Sequence, residues 1–407
     1  MKFLFIHQNF PGQFRHLAPA LARAGHEVKA LVLTKNSATV WQGVTVIPYE
    51  LSRVNAPDAH PWTVDFESKV IRGEACFRSA LALRKNGYVP DVVVAHPGWG
   101  ESLFVKEVWP KARLKLYCEF FYHAQGADVG FDPEFSSQDP ANACRVTLKN
   151  ANTLLQFQNA DAGLSPTLWQ ASTFPEHIQK KITVIHDGID SAALRPNPQA
   201  EFELDARQTV TRENEVVTFV SRALEPLRGF HIFMRALPAL LKARPAALVL
   251  VVGQDKDGYG TKAGANATWK KIFCDEVMPQ LTSSERARIH FLGHIEYDRY
   301  VAVLQVSRVH VYLTSPFVLS WSLLEAMSTG CSIVASNTKP LQEVIEHNKT
   351  GKLVSFFDAI ALAESVIELL EDSETRDQFR DAARAHVVRH YDLKSVCLPQ
   401  QIAWALQ

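Results

Sequence analysis

Residues 309–336 read VHVYLTSPFVLSWSLLEAMSTGCSIVAS, and this stretch decides the fold. It opens on an apolar strand at 309–313, starts a helix around 320–322 and closes on a second strand at 332–335. A strand that returns to a second strand through a helix is the crossover unit of a parallel sheet. The same alternation runs outward in both directions. Downstream a strand is expected at 352–354, and upstream at 216–220, 247–252 and 289–292. Between the first two of these, Phe230, Phe233, Met234, Leu237 and Leu241 fall on one helical face. The first half of the chain repeats the scheme with strands predicted at 2–7, 28–34, 91–96, 114–120 and 183–186. There Phe14, Leu17, Ala18, Leu21 and Ala22 line one helix face, and Gly25 follows where a left-handed cap is needed. Short apolar runs alternating with helical periods predict an α/β protein with doubly wound parallel sheets. The segment 191–215, with two prolines, many charges and no period, is the expected linker, and 126–139 is expected to be a polar loop. Two Rossmann-like halves of similar size are therefore expected to face one another, with a ligand cleft at the carboxyl ends of both sheets. The stretch 372–407 is helical in pattern, broken around 391–395 and at Pro399.

Composition bounds the function. The 407 residues carry 43 Lys+Arg against 43 Asp+Glu, a formal charge of zero, so no global basic field draws the chain to nucleic acid. The six cysteines are scattered without a Cys-x-x-Cys pair and are expected to be reduced, mostly buried thiols of a cytoplasmic protein. No segment approaches the roughly 18 apolar residues of a membrane span, and the run at 3–6 is too short for a signal peptide.

Three stretches of the C-terminal half, SRALEPLRGF (221–230), the block 309–336 and PLQEVIEHNKTGKLV (340–354), together resemble the retaining, nucleotide-sugar-dependent glycosyltransferases of family 4, which have the two-Rossmann GT-B fold. The N-terminal half adds a weaker match in NFPGQFRHLAPALARAGHEV (9–28), DVVVAHP (91–97) and HDGID (186–190). The resemblance implies an N-terminal acceptor domain over 1–200, rejoined by a C-terminal helix at 390–407, and a donor domain over 201–389. It implies transfer of a sugar from a nucleotide diphosphate to a glycan, lipid-linked or small-molecule acceptor. Another GT-B activity, such as an epimerase or phosphorylase, and a non-catalytic nucleotide-sugar-binding protein both stay open.

Arg222 and Arg228 stand on either side of a short turn. Guanidinium groups stay cationic and bond oxygens bidentately, which suits a departing diphosphate; two solvated loop arginines are the plain alternative. Under the resemblance this pair grips the donor diphosphate, with Arg228 standing where a Lys is usual. Glu325 closes a Ser-x-x-Glu pattern with Ser322, which reads either as a capping box or as a carboxylate that accepts the two ribose hydroxyls. The helix start around Ser320, Trp321 and Ser322 offers N–H groups toward phosphate. Phe317 stands where the family has a Glu on the transferred sugar, which leaves the sugar's identity open. The run Phe317, Val318, Leu319, Ser320 and Trp321 lies beside the donor or is simply core. His96 ends an apolar strand and matches the family's histidine near the reaction centre. Gly12 and Gln13 in the first strand–helix turn, and His123 in EFFYHAQG (119–126), are acceptor-side candidates, each with a structural role as the alternative. The histidines are dispersed and no Asp-x-Asp ends a strand, so no metal and no organic cofactor are expected. Lys69, Arg72, Arg78, Arg84 and Lys85 are weighed as a basic face for peripheral contact with the inner side of a membrane, against a solvated helix face beside Glu67 and Glu74.

Overall fold

Phe3, Leu4, Phe5 and Ile6 are excluded from solvent on both faces, which only a strand covered by helices above and below permits. A computed structural model describes residues 1–34, 36–137, 139–205 and 208–407. The chain divides into two units. Unit 1 comprises 1–124, 137–187 and 394–407, and unit 2 comprises 125–136 and 188–393.

In unit 1, the strands are β1 (Lys2–Ile6), β2 (Glu27–Leu33), β3 (Thr39–Trp41), β4 (Val44–Tyr49), β5 (Val92–Ala95), β6 (Arg113–Tyr117), β7 (Ala162–Ser165) and β8 (Ile182–Val184). Among the described residues they form one sheet in the order β3-β4-β2-β1-β5-β6-β7-β8, parallel except for β3. The winding reverses at β1, which pairs with β2 on one side and β5 on the other. Three strands here escape the sequence reading, β3, β4 and β7. Strand β4 is only half-buried and carries Pro48, tolerated because β3 does not extend past Val46 and leaves that edge open. Strand β7 is four residues of mostly small side chains, AGLS. The helix Leu398–Leu406 belongs to this unit, its Trp404 and Ala405 buried with Phe3, Phe5 and Leu17.

In unit 2, a parallel sheet runs β13 (Ile289–Gly293), β12 (Leu248–Gln254), β11 (Val216–Ala223), β14 (Val309–Tyr312), β15 (Ser332–Ser336) and β16 (Lys352–Val354). Its winding reverses between β11 and β14. The helix Phe230–Ala243 buries all five residues of its expected face. The expected linker is instead partly ordered sheet. Glu201–Asp205 (β9) and Gln208–Thr211 (β10) pair antiparallel, and Phe202 and Val210 are buried beside Val216 and Leu304. Charged neighbours hid these two apolar anchors. The expected polar loop is likewise structured at 125–136: Phe131 stacks on Phe357, and Phe135 packs edge-on against Trp269 and His231. Gln138, in the expected loop, and Ala206 and Arg207, in the expected linker, lie outside the described residues.

All six cysteines are free, four of them buried. Among the described residues, no helix is long and apolar enough to cross a membrane. Four of the five cations weighed as a basic face have partners within the unit. Lys69 is buried, bonded to the Lys149 carbonyl and paired with Asp65; Arg78 pairs with Glu74; Arg72 and Arg84 donate to the Ser68 and Val108 carbonyls.

Candidate functional site

Loops at the carboxyl ends of parallel strands gather ligands where the winding reverses, because neighbouring connections there diverge to opposite faces. Each unit places expected residues at that point: Arg222 and Arg228 in unit 2, and Gly12, Gln13 and His96 in unit 1.

In unit 2, β11 ends at Ala223 and presents Arg222. The chain then turns through Pro226–Arg228 to Gly229, which adopts φ +67° against Leu313; a Cβ there would lie 2.4 Å from the Leu313 Cβ. Arg228 is thus held against the end of β14. It donates to Thr314 Oγ1 at 2.8 Å and to the Val318 carbonyl at 3.0 Å, with its guanidinium 5.6 Å over the Phe317 ring. Arg222 donates to the Tyr259 hydroxyl at 2.6 Å and lies 5.4 Å from that ring. Neither guanidinium has a carboxylate partner among the described residues. Arg235 and Arg244 of the same unit, by contrast, each pair with two glutamates.

The helix Trp321–Thr329 starts beside Arg228. Ser320 is its N-cap, accepting from the Ser322 N–H, so Ser322 is inside the first turn and no capping box forms with Glu325. Glu325 instead receives the Tyr297 hydroxyl on Oε1 at 3.0 Å and the Tyr300 hydroxyl on Oε2 at 2.6 Å. Burial, and then the Glu325 charge, push the Tyr300 phenol well above its usual range, so it stays a donor. Phe317 is buried beneath Tyr259, their ring centroids 5.9 Å apart, while Leu319 enters the core and Trp321 packs against it. The expected run therefore meets this site through Val318 and the helix start more than through its apolar side chains.

In unit 1, His96 follows β5, stacked on Trp99 at 4.4 Å and on Tyr117 at 5.6 Å. Its Nδ1 accepts the Gly98 N–H at 3.1 Å. A backbone N–H can only donate, so the proton of the neutral ring sits on Nε2, which lies 3.5 Å from Glu119 Oε2. The same logic fixes His7, at the end of β1: Nδ1 accepts from the Asn9 N–H, Nε2 donates to Gln13 Oε1, and Gln13 Nε2 donates to Glu119 Oε1. Gly12 is required by that ring, since a Cβ would stand 2.3 Å from His7 Cε1. Burial, then His96, push His7 down to about 4 and keep it neutral. Burial acts to raise the Glu119 carboxyl, but the donors and rings around it win and hold it below the usual range. Gln13 and His96 thus converge on one ionised carboxylate, while Gly12 lies against the His7 ring. His123 stands apart: it is exposed and its Nε2 bonds the Thr173 carbonyl at 2.9 Å.

Glu119, Glu225 and Tyr259 are absent from the sequence expectations. The Glu225 carboxylate is buried and accepts the N–H groups of Tyr259 at 3.1 Å and Gly260 at 2.8 Å. The glycines of the DGYG turn (257–260) were the available signal, since a Cβ on Gly258 would collide with Glu225 Oε1. Among the described residues, Asp132, Glu134 and His231 also have metal-ligand donor atoms near one another. Both Glu134 oxygens are already held by Arg235 at 2.7 Å, and a cation there would compete with that guanidinium.

Two family models match the chain, "Glycosyl transferase family 4 group" over residues 24–194 and "Glycosyl transferases group 1" over 201–386. The chain belongs to the family-4 glycosyltransferases. Among relatives of this family, a phosphatidyl-myo-inositol mannosyltransferase of Mycolicibacterium smegmatis is 27% identical over 211 residues, 51% of this chain and 47% of that protein. The chain thus spans about half the length of that curated relative. The family fold is seen in two solved structures that align along almost the entire chain. Anabaena Alr3699/HepE in complex with UDP-glucose has a TM-score of 0.69 at 17% identity, covering 100% of this chain and 99% of that one. Sucrose-phosphate synthase from Thermosynechococcus elongatus has a TM-score of 0.71 at 18% identity, covering 99% and 98%.

Proposed function

We propose that the protein is a retaining glycosyltransferase that moves a sugar from a nucleotide-diphosphate donor to a hydroxyl of a glycan or lipid-linked acceptor. The observation that carries this reading is the pair Arg222 and Arg228, two guanidiniums left without carboxylate partners at the winding reversal of unit 2. Developing charge on a leaving diphosphate is stabilised by such preorganised cations, and they do so without a metal ion. Glu325 takes the ribose hydroxyls. The bond from the anomeric carbon to the phosphate oxygen breaks, the acceptor oxygen bonds the same face, and its proton passes to the departing phosphate. Unit 1 serves the acceptor through His96 and the Gly12–Gln13 turn. The donor reading is supported by the UDP-glucose bound to the Anabaena neighbour, and the acceptor reading by the inositol lipid in the name of the mycobacterial relative.

The test is a screen of UDP-, GDP- and dTDP-sugars with the purified protein, following bound nucleotide, released nucleotide and sugar product. One donor is expected to bind and release its nucleotide, with EDTA leaving the rate unchanged. Arg222→Ala and Arg228→Ala are each expected to lower kcat/KM about 100-fold or more. Undiminished binding in both variants overturns the site. Binding without release under any acceptor extract identifies a binding protein instead, and an isomerised nucleotide sugar an epimerase.

A further inference from the structure

Tyr259 is 61% exposed, an unusual position for an aromatic ring lying at a cluster of two arginines. It is not there by looseness of the loop. The two backbone N–H groups on and after it are bound by the buried Glu225 carboxylate, and Gly258 and Gly260 lack the Cβ atoms that would block that approach. One side of the ring meets Phe317, which lies under the Arg228 guanidinium. Its hydroxyl oxygen accepts from Arg222 Nη1 at 2.6 Å. That accounts for one lone pair and leaves the hydroxyl proton with no acceptor among the described residues. A phenol that accepts from a cation has its own O–H polarised, so the free proton is a strong donor toward an anion.

We propose that Tyr259 is a third anion-binding group of the donor site, giving its O–H to a diphosphate oxygen, and that Glu225 is the positioning residue that delivers it. This rests on the reading of Arg222 and Arg228 as diphosphate ligands. The two arginines supply charge; Tyr259 supplies a directed donor between Arg222 and the aromatic floor at Phe317. Glu225 has no direct part in binding. It acts through the 258–260 backbone, exchanging two unpaired N–H groups for a fixed loop.

Calorimetric titration with UDP, GDP, ADP and dTDP, and with the corresponding nucleosides, tests this. In the tightest-binding diphosphate, Tyr259→Phe is expected to weaken affinity about tenfold or more, since it removes one hydrogen bond to a charged group while keeping the ring on Phe317. Nucleoside affinity should be unchanged. Glu225→Gln should weaken the diphosphate similarly, and its effect should largely vanish in the Tyr259→Phe background, because both act through one hydroxyl. Wild-type diphosphate affinity in Tyr259→Phe, alongside a loss in Arg222→Ala, overturns the inference and leaves the donor site standing. An equal Glu225→Gln effect in both backgrounds overturns the positioning role. No loss in either Arg222→Ala or Tyr259→Phe overturns the donor site itself.

Discussion

Glu325 illustrates how a side chain's role is decided by its neighbours. With Tyr297 on one oxygen and Tyr300 on the other, it is a carboxylate pre-oriented by two hydroxyl donors. In Glu325→Gln the amide must turn its NH2 toward one tyrosine and lose its charge. Removing a charge-assisted hydrogen bond costs about 1.5–3 kcal/mol, so donor KM is expected to rise about tenfold or more. The wild type should prefer UDP over 2′,3′-dideoxy-UDP, and the variant should bind the two alike; a variant that still discriminates would falsify the ribose role. Arg222, Arg228 and Glu325 were legible as candidates because their residue types and spacing repeat a family pattern. Glu225, Tyr259 and Glu119 were not. Each acquires its part only when folding brings a carboxylate to backbone N–H groups 34 and 35 positions away, or to His96 and Gln13. No local pattern encodes such a meeting.

At the scale of elements, the strands of unit 2 and the helix Phe230–Ala243 were legible because burial on both faces, or along one stripe, writes itself into the sequence. The hairpin β9–β10 and the segment 125–136 were not, since each anchors through two isolated apolar residues set among turn formers. Phe135 is only partly buried, yet it meets His231, Trp269 and Phe273. Its truncation is expected to cost about 2 kcal/mol, below the roughly 3–5 kcal/mol of a fully enclosed phenylalanine. Phe135→Ala should lower the thermal midpoint by about 4–8 °C and open the 125–136 segment to protease. A midpoint and a cleavage pattern like those of the wild type would show that the segment is dispensable packing.

At the scale of the whole molecule, neutral histidines are buried in both units. Burial pushes His7 and His186 down to about 4 and His310 to about 3. Above pH 6.5 these rings are neutral folded and unfolded alike, and they contribute no pH dependence. As pH falls below 6.5 the unfolded chain takes up protons that the folded chain refuses, so stability declines toward pH 4. At pH 5 each contributes about 1–2 kcal/mol of loss. Urea midpoints at pH 7 and pH 5 measure it: both units should soften at the lower value, and equal midpoints would show that these rings charge freely in place. The net charge of zero is likewise an average: Arg235 and Arg244 are each answered by two glutamates, whereas Arg222 and Arg228 have no carboxylate partner among the described residues. Unit 1 gives up 125–136 and recovers 394–407, whose Trp404 it buries beside Phe3. A chimera that trades donor specificity with a family member through a single crossover near 187 would therefore import a foreign closing helix against a native core, and leave a native 125–136 against a foreign partner. Recombination that respects the fold must exchange two separate segments at once, and between distant relatives the closing helix and its receiving core are expected to be inherited together.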